Sequence, residues 1–204
     1  RAGLVNLERH VENLGKFGVP VLVAINHFEG DSEGEINDVL EACRNLNVPA
    51  AISKVWAEGS AGGQELASEL NKLLDNSGPS QFAPLYEKDL DISSKINKIV
   101  REIYRGEEVN FSPAAKRSLA VIERLGLNDL QVCLAKTPYS FSDQPRLLGA
   151  PEGFTIGVRD ITLSLGAGFA VVITGNIVTM PGLPAKPAAE GLWMDEDGEI
   201  HGLV

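Results

Sequence analysis

At 204 residues the chain can fill one large domain or two small ones, and 44% hydrophobic with 23% charged residues is the make-up of an ordinary globular protein with its own core. Its 18 basic and 28 acidic side chains give a net charge of −10, which excludes the basic face that nucleic acid needs and speaks against docking on an anionic membrane. There is no apolar run of about 18 residues to span a bilayer and no signal-peptide pattern. Cys43 and Cys133 lie far apart in apolar surroundings and read as core thiols of a protein kept in a reducing cytosol.

The chain opens on Arg1, already in helical rhythm, with Leu4, Leu7, Val11 and Leu14 on one face. A helix entered without a capping residue reads as a chain cut from something longer. Gly15 and Gly18 close that helix, and residues 19–26 form an apolar run that reads as a buried strand. Ser32 and Glu35 have capping-box spacing and start a helix with Ile36, Val39, Leu40 and Cys43 on one stripe. A second strand is predicted over 50–55. A Gly-rich loop from Glu58 to Gly63 then leads into a helix with Leu66, Leu70, Leu73 and Leu74 turned inward. Helices alternating with strands in this order predict parallel strands joined by crossover helices.

Beyond a break at 76–79, residues 92–104 read as a helix burying Ile92, Ile96, Ile99 and Ile103, its other face charged and solvated. Ser112 and Pro113 supply an N-cap and first-turn proline for a helix ending at Leu125 and Gly126. Strands are expected over 131–135, 154–158, 159–165 and 169–173, with Gly166 and Gly168 marking a bulge or tight bend. The fold class is therefore α/β: a Rossmann-like parallel-sheet crossover domain over 1–107 and a second, smaller α+β domain over 108–204.

Phe28 and Trp56 each stand at the end of an apolar run, and each is followed by a polar, Gly-containing turn. In a parallel sheet both ends share the rim where α/β proteins bind ligands, so the two rings could grip a flat heterocycle. The alternative is a pair of core aromatics. His27 adjoins them. The segment from Ala57 to Gly63 reads either as a phosphate loop or as a glycine turn for tight packing; the Lys-Ser/Thr of a GxxxxGK[ST] loop is missing. The acids between Glu29 and Glu41 read as a solvated, helix-stabilising face, those between Asp195 and Glu199 as a turn. His10, His27 and His201 are too scattered to suggest a zinc set. The strand end from Lys136 to Asp143, with Arg146 beyond, suits either an anionic ligand or a loop whose hydroxyls satisfy its own backbone. Met180, Pro181, Gly182, Leu183 and Pro184 make a stiff apolar segment, either a pocket wall or a connector.

Taken together, Lys16 to Asn26, Trp56 to Gly59, Ala135 to Ser142, Gly166 to Phe169, Thr179 to Pro184 and the closing Gly202-Leu203-Val204 resemble formate–tetrahydrofolate ligase over essentially the whole chain. The resemblance implies that ATP, formate and tetrahydrofolate give 10-formyltetrahydrofolate, ADP and phosphate, through formyl phosphate. It implies a folate slot between Phe28 and Trp56, lined by Ile52 and Val55, with Met180, Pro181, Gly182 and Leu183 in its neighbourhood. It names no catalytic residue in this chain. ATP is the cofactor it implies, and it admits a monovalent cation. The family's phosphate loop belongs to an N-terminal nucleotide-binding domain, and no GK[ST] occurs in these 204 residues. The expectation is thus a C-terminal portion: the folate side of a cytoplasmic, homo-oligomeric ligase, inactive alone. The alternatives are a non-catalytic folate- or nucleotide-binding module, or a piece serving only the parent's assembly.

Overall fold

The computed structural model describes residues 2–136, 140–175, 177 and 186–202. Helix α1 (Leu4–Gly15) precedes strand β1 (Val23–Asn26), helix α2 (Glu33–Asn45) and strand β2 (Ala50–Ser53). β1 and β2 pair in parallel, Val23 opposite Ala50 and Asn26 opposite Ser53, with α2 as the crossover. The predicted capping box is formed: Ser32 Oγ accepts from Glu35 N, and the Glu35 carboxylate accepts from Ser32 N. Ile36 and Cys43 of α2 are buried and Val39 and Leu40 half-buried, as their spacing requires. Both strands are shorter than the apolar runs that contain them. Pairing starts where Val23 N donates to Pro49 O at 2.9 Å.

A four-stranded sheet occupies the second half, ordered β3 (Glu108–Phe111), β5 (Thr155–Ser164), β6 (Phe169–Thr174), β4 (Gln131–Ala135). β3–β5 and β4–β6 are parallel and β5–β6 antiparallel. The two strands expected over 154–158 and 159–165 are one strand, β5, whose register shifts between Val158 and Asp160. That bulge broke the alternation and made one strand read as two. A single 3₁₀ turn (Leu165–Ala167) closed by Gly168 at φ +78° makes the expected tight bend into β6.

Helices α5 (Ile92–Glu102) and α6 (Pro113–Arg124) cover this sheet. Ile92, Ile96 and Val100 of α5 join Ile122, Ile156, Val158, Ile161 and Val172 in one core, so that core draws on residues from both sides of position 107. Ser112 Oγ accepts from Ala115 N at 3.1 Å, and Pro113 opens α6 as expected.

Four local expectations are corrected. Cys133 is exposed, because β4 is an edge strand and this residue points away from the core. Leu70 and Leu74 of helix α4 (Gln64–Asn76) are exposed, as only one side of the helix meets β2. Lys95, read as part of a solvated face, is fully buried: its ammonium donates to Lys88 O at 2.6 Å, Asn128 O at 2.6 Å and Leu130 O at 3.0 Å. Burial pushes its pKa below the usual lysine value.

The best-covered residues of α1 are Arg9 and Asn13, not its leucines, and Leu14 is exposed. Arg9 donates to Ile103 O and Glu102 O, Asn13 to Ile103 O, and Lys16 to Glu102 O. These donors satisfy carbonyls at the end of α5, where the helix dipole also favours cations. Among the described residues no helix is long and apolar enough to cross a membrane.

Candidate functional site

The rim at the carboxyl ends of β1 and β2 carries the two predicted rings. The ladder extends one bond past β1, from His27 N to Ser53 O at 2.9 Å. The chain then turns. Phe28 N donates to Asp31 Oδ2 at 2.8 Å, and Asp31 N to Phe28 O at 3.0 Å. This closed loop fixes the backbone of Phe28 while leaving its ring half exposed.

Val55 and Trp56 do not continue β2 as expected. They belong to a single helical turn, α3 (Val55–Glu58), because Lys54 N turns away to Gly62 O at 3.0 Å and Lys54 O accepts from Ala57 N and Glu58 N. The turn lifts Trp56 clear of the sheet, 73% exposed, with Val55 exposed beside it. Ile52 stays within β2 and is half-buried, on the opposite side of the strand from the buried Ala51 and Ser53.

The Phe28 and Trp56 rings lie 5.8 Å apart between centroids, inclined at 58°. They are neighbours on one accessible rim, but as a closed, tilted pair rather than an open slot. A planar guest between two parallel faces needs about 7 Å, twice a carbon contact distance. Both side chains are exposed enough for rotation to supply the difference of roughly 1–2 Å.

Among the glycines after Trp56, Gly62 serves packing. A Cβ on Gly62 would stand 2.5 Å from the Lys54 carbonyl, so only glycine lets the 3₁₀ turn (Gly59–Gly63) close against the end of β2. No lysine follows, and Glu65 occupies the first turn of α4. This segment does not fit a nucleotide phosphate. The acids from Glu29 to Glu41 hold turns and helix starts, notably Asp31 on Phe28 and Glu35 on Ser32.

The polar end of β4 lies elsewhere, against α1. Ser140 and Ser142 are buried and satisfy local groups: Ser140 Oγ accepts from Ser142 N at 3.0 Å, and Ser142 Oγ donates to Gln144 O at 2.9 Å. Asp143 Oδ2 accepts from Gly157 N at 2.9 Å. The hydroxyls thus behave as a self-satisfied loop. Thr137, Pro138 and Tyr139 lie outside the described residues, as do Met180, Pro181, Gly182, Leu183 and Pro184.

The terminal hairpin of β7 (Trp193–Met194) and β8 (Ile200–His201) brings Asp195, Glu199 and His201 within 4.8 Å of one another, a grouping the scattered histidines did not suggest. His201 Nε2 is 2.7 Å from Asp195 Oδ2, while Asp195 Oδ1 accepts from Asp197 N and Glu199 N. These bonds hold the Asp195 carboxyl below its usual pKa. Asp195 is thereby engaged in closing the turn.

In a comparison with known families, the model of formate–tetrahydrofolate ligase matches residues 1–204. The chain belongs to the formate–tetrahydrofolate ligase family. That family works on formate and tetrahydrofolate and is ATP-dependent in general. A ligase of one-carbon metabolism is therefore the functional class that the family gives.

Proposed function

We propose that this chain supplies the tetrahydrofolate-binding side of a formate–tetrahydrofolate ligase that makes 10-formyltetrahydrofolate. Phe28 and Trp56 part to take a planar section of the folate, the pterin or the aminobenzoyl group, between their faces. Ile52 and Val55 line the floor of that space, and the reading also assigns Met180, Pro181, Gly182 and Leu183 to the folate-binding residues. One observation carries this reading: two large rings, both well exposed, stand side by side on the rim where parallel strands present their ligands. Water-exposed aromatic surface at such a place gains free energy when a flat guest covers it.

In this reading the ATP-dependent activation of formate uses residues that are not among these 204. No GK[ST] sequence occurs in them, and Gly62 of the Gly-rich turn after Trp56 is committed to packing. The chain corresponds to a folate-binding domain over 1–107 followed by a small domain over 108–204, in a cytoplasmic, oligomeric enzyme. The test is fluorescence. With Trp193 replaced by Phe, Trp56 is the sole indole, and tetrahydrofolate is expected to quench its emission saturably. An emission unchanged after correction for ligand absorbance refutes the reading.

A further inference from the structure

The turn that carries Phe28 has little to hold it. It leaves the sheet after the last ladder bond, from His27 N to Ser53 O, and every residue from Phe28 to Asp31 is exposed. Packing therefore does not set its shape. Nor does its glycine: Gly30 lies outside the left-handed region, and a Cβ there would meet nothing within 4 Å.

What closes the turn is a side chain. Asp31 Oδ2 accepts from Phe28 N at 2.8 Å, while Asp31 N donates to Phe28 O at 3.0 Å. Both polar groups of the Phe28 main chain are thus tied to one residue three positions on. A carboxylate makes a shorter and stronger bond to an N–H than a neutral oxygen does. The adjoining helix has no need of this carboxylate. Ser32 and Glu35 complete the cap of α2 between them, and the Asp31 charge acts against that of Glu35. Asp31 is given instead to Phe28, whose ring centroid stands 5.8 Å from that of Trp56.

We propose that Asp31 is a positioning residue of the folate site, clamping the main chain of Phe28 so that the ring meets its guest from a fixed place. The inference rests on the assignment of the two rings to tetrahydrofolate. Asp31 acts through Phe28 and not on the guest. Opening the pair then falls to side-chain rotation and to Trp56. A ring whose backbone is already set loses less freedom on binding, and the freedom kept appears as affinity.

The test is calorimetric titration of tetrahydrofolate into the unmodified chain, Asp31→Ala, Asp31→Asn, Phe28→Ala and the double variant Phe28→Ala/Asp31→Ala. Asp31 is exposed, so its replacement leaves the core untouched. Asp31→Ala is expected to bind roughly three- to tenfold more weakly. Asp31→Asn, whose amide oxygen still accepts from Phe28 N, should stay within about twofold of the parent. In the Phe28→Ala background Asp31→Ala should add nothing. Without ligand, the Phe28 amide proton should exchange faster in Asp31→Ala and not in Asp31→Asn. Parental affinity in Asp31→Ala, with Phe28→Ala weakened, overturns the positioning role and leaves the ring assignment standing. Asp31→Asn as weak as Asp31→Ala, or the full loss persisting in the double variant, also overturns it, because the charge then acts on the guest itself. No weakening in Phe28→Ala refutes the ring assignment, and the role of Asp31 falls with it.

Discussion

Replacing Lys95 by Met tests how the second half of the chain is held together. The side chain is fully buried, and methionine keeps most of the stem while removing the charge and all three donors. The bond to Leu130 O is wholly buried, so that carbonyl loses its partner at a cost of about 1–3 kcal/mol. Those to Lys88 O and Asn128 O are part-buried, so water replaces the ammonium there, with a loss of about 0.5–1 kcal/mol each. Contact between the ammonium and the Tyr86 ring, 5.5 Å from its centroid, adds roughly 0.5 kcal/mol. Relief from desolvating an ammonium offsets part of this sum. The net expectation is a destabilisation of about 2–4 kcal/mol, read as a lower midpoint with an unchanged slope in urea. In a chain of this size that lowers Tm by roughly 5–15 °C. Because the folded pKa lies below 10.5, the unfolded state binds more protons between the two values. The unmodified protein should therefore gain on the variant as pH rises through that window. A variant as stable as its parent at pH 7 refutes the claim that this lysine ties the 88 and 128–130 loops to α5.

Three further outcomes follow from the same geometry. Asp91→Ala removes the carboxylate that accepts from Ser94 N at 2.9 Å at the start of α5, and should cost about 1 kcal/mol at pH 7 by urea denaturation. The Ser94 bond holds that carboxyl below its usual pKa, so its contribution is complete above 3.8 and lost as pH falls through the folded value; the deficit of the variant should shrink accordingly. Gly62→Ala forces a methyl onto the Lys54 carbonyl and should cost about 1–3 kcal/mol in thermal unfolding while displacing Trp56, seen as a shift in its emission. His10 should titrate by NMR below 6.5, and Lys136→Met should raise its midpoint without restoring it, since burial is the larger cause.

What the sequence made legible was local. Ser32 with Glu35, and Ser112 with Pro113, announce helix starts because capping chemistry involves residues three apart. Parallel pairing of β1 with β2 followed from a helix lying between two apolar runs. Features set by distant partners stayed hidden. Trp56 sits on a helical turn because Lys54 pairs with Gly62, which the apolar run before it gave no means of anticipating. Lys95 is buried because carbonyls from 88, 128 and 130 converge on it. The polar edge of α1 is its best-covered edge because the end of α5 offers carbonyls to Arg9, Asn13 and Lys16. Phe28 and Trp56 were legible as neighbours, since parallel strands of similar length end together. Their tilt and closeness, which depend on two separate turns, were not.

The central claim is that both rings hold the same flat portion of one folate molecule. Calorimetric titration of tetrahydrofolate into the unmodified chain, Phe28→Ala, Trp56→Ala and the double variant measures this directly. Each single change should weaken binding by roughly 1–3 kcal/mol, and the double change should cost clearly less than the two together, since a guest freed from one face loses its grip on the other. Affinities that are indistinguishable among all four proteins would contradict the account.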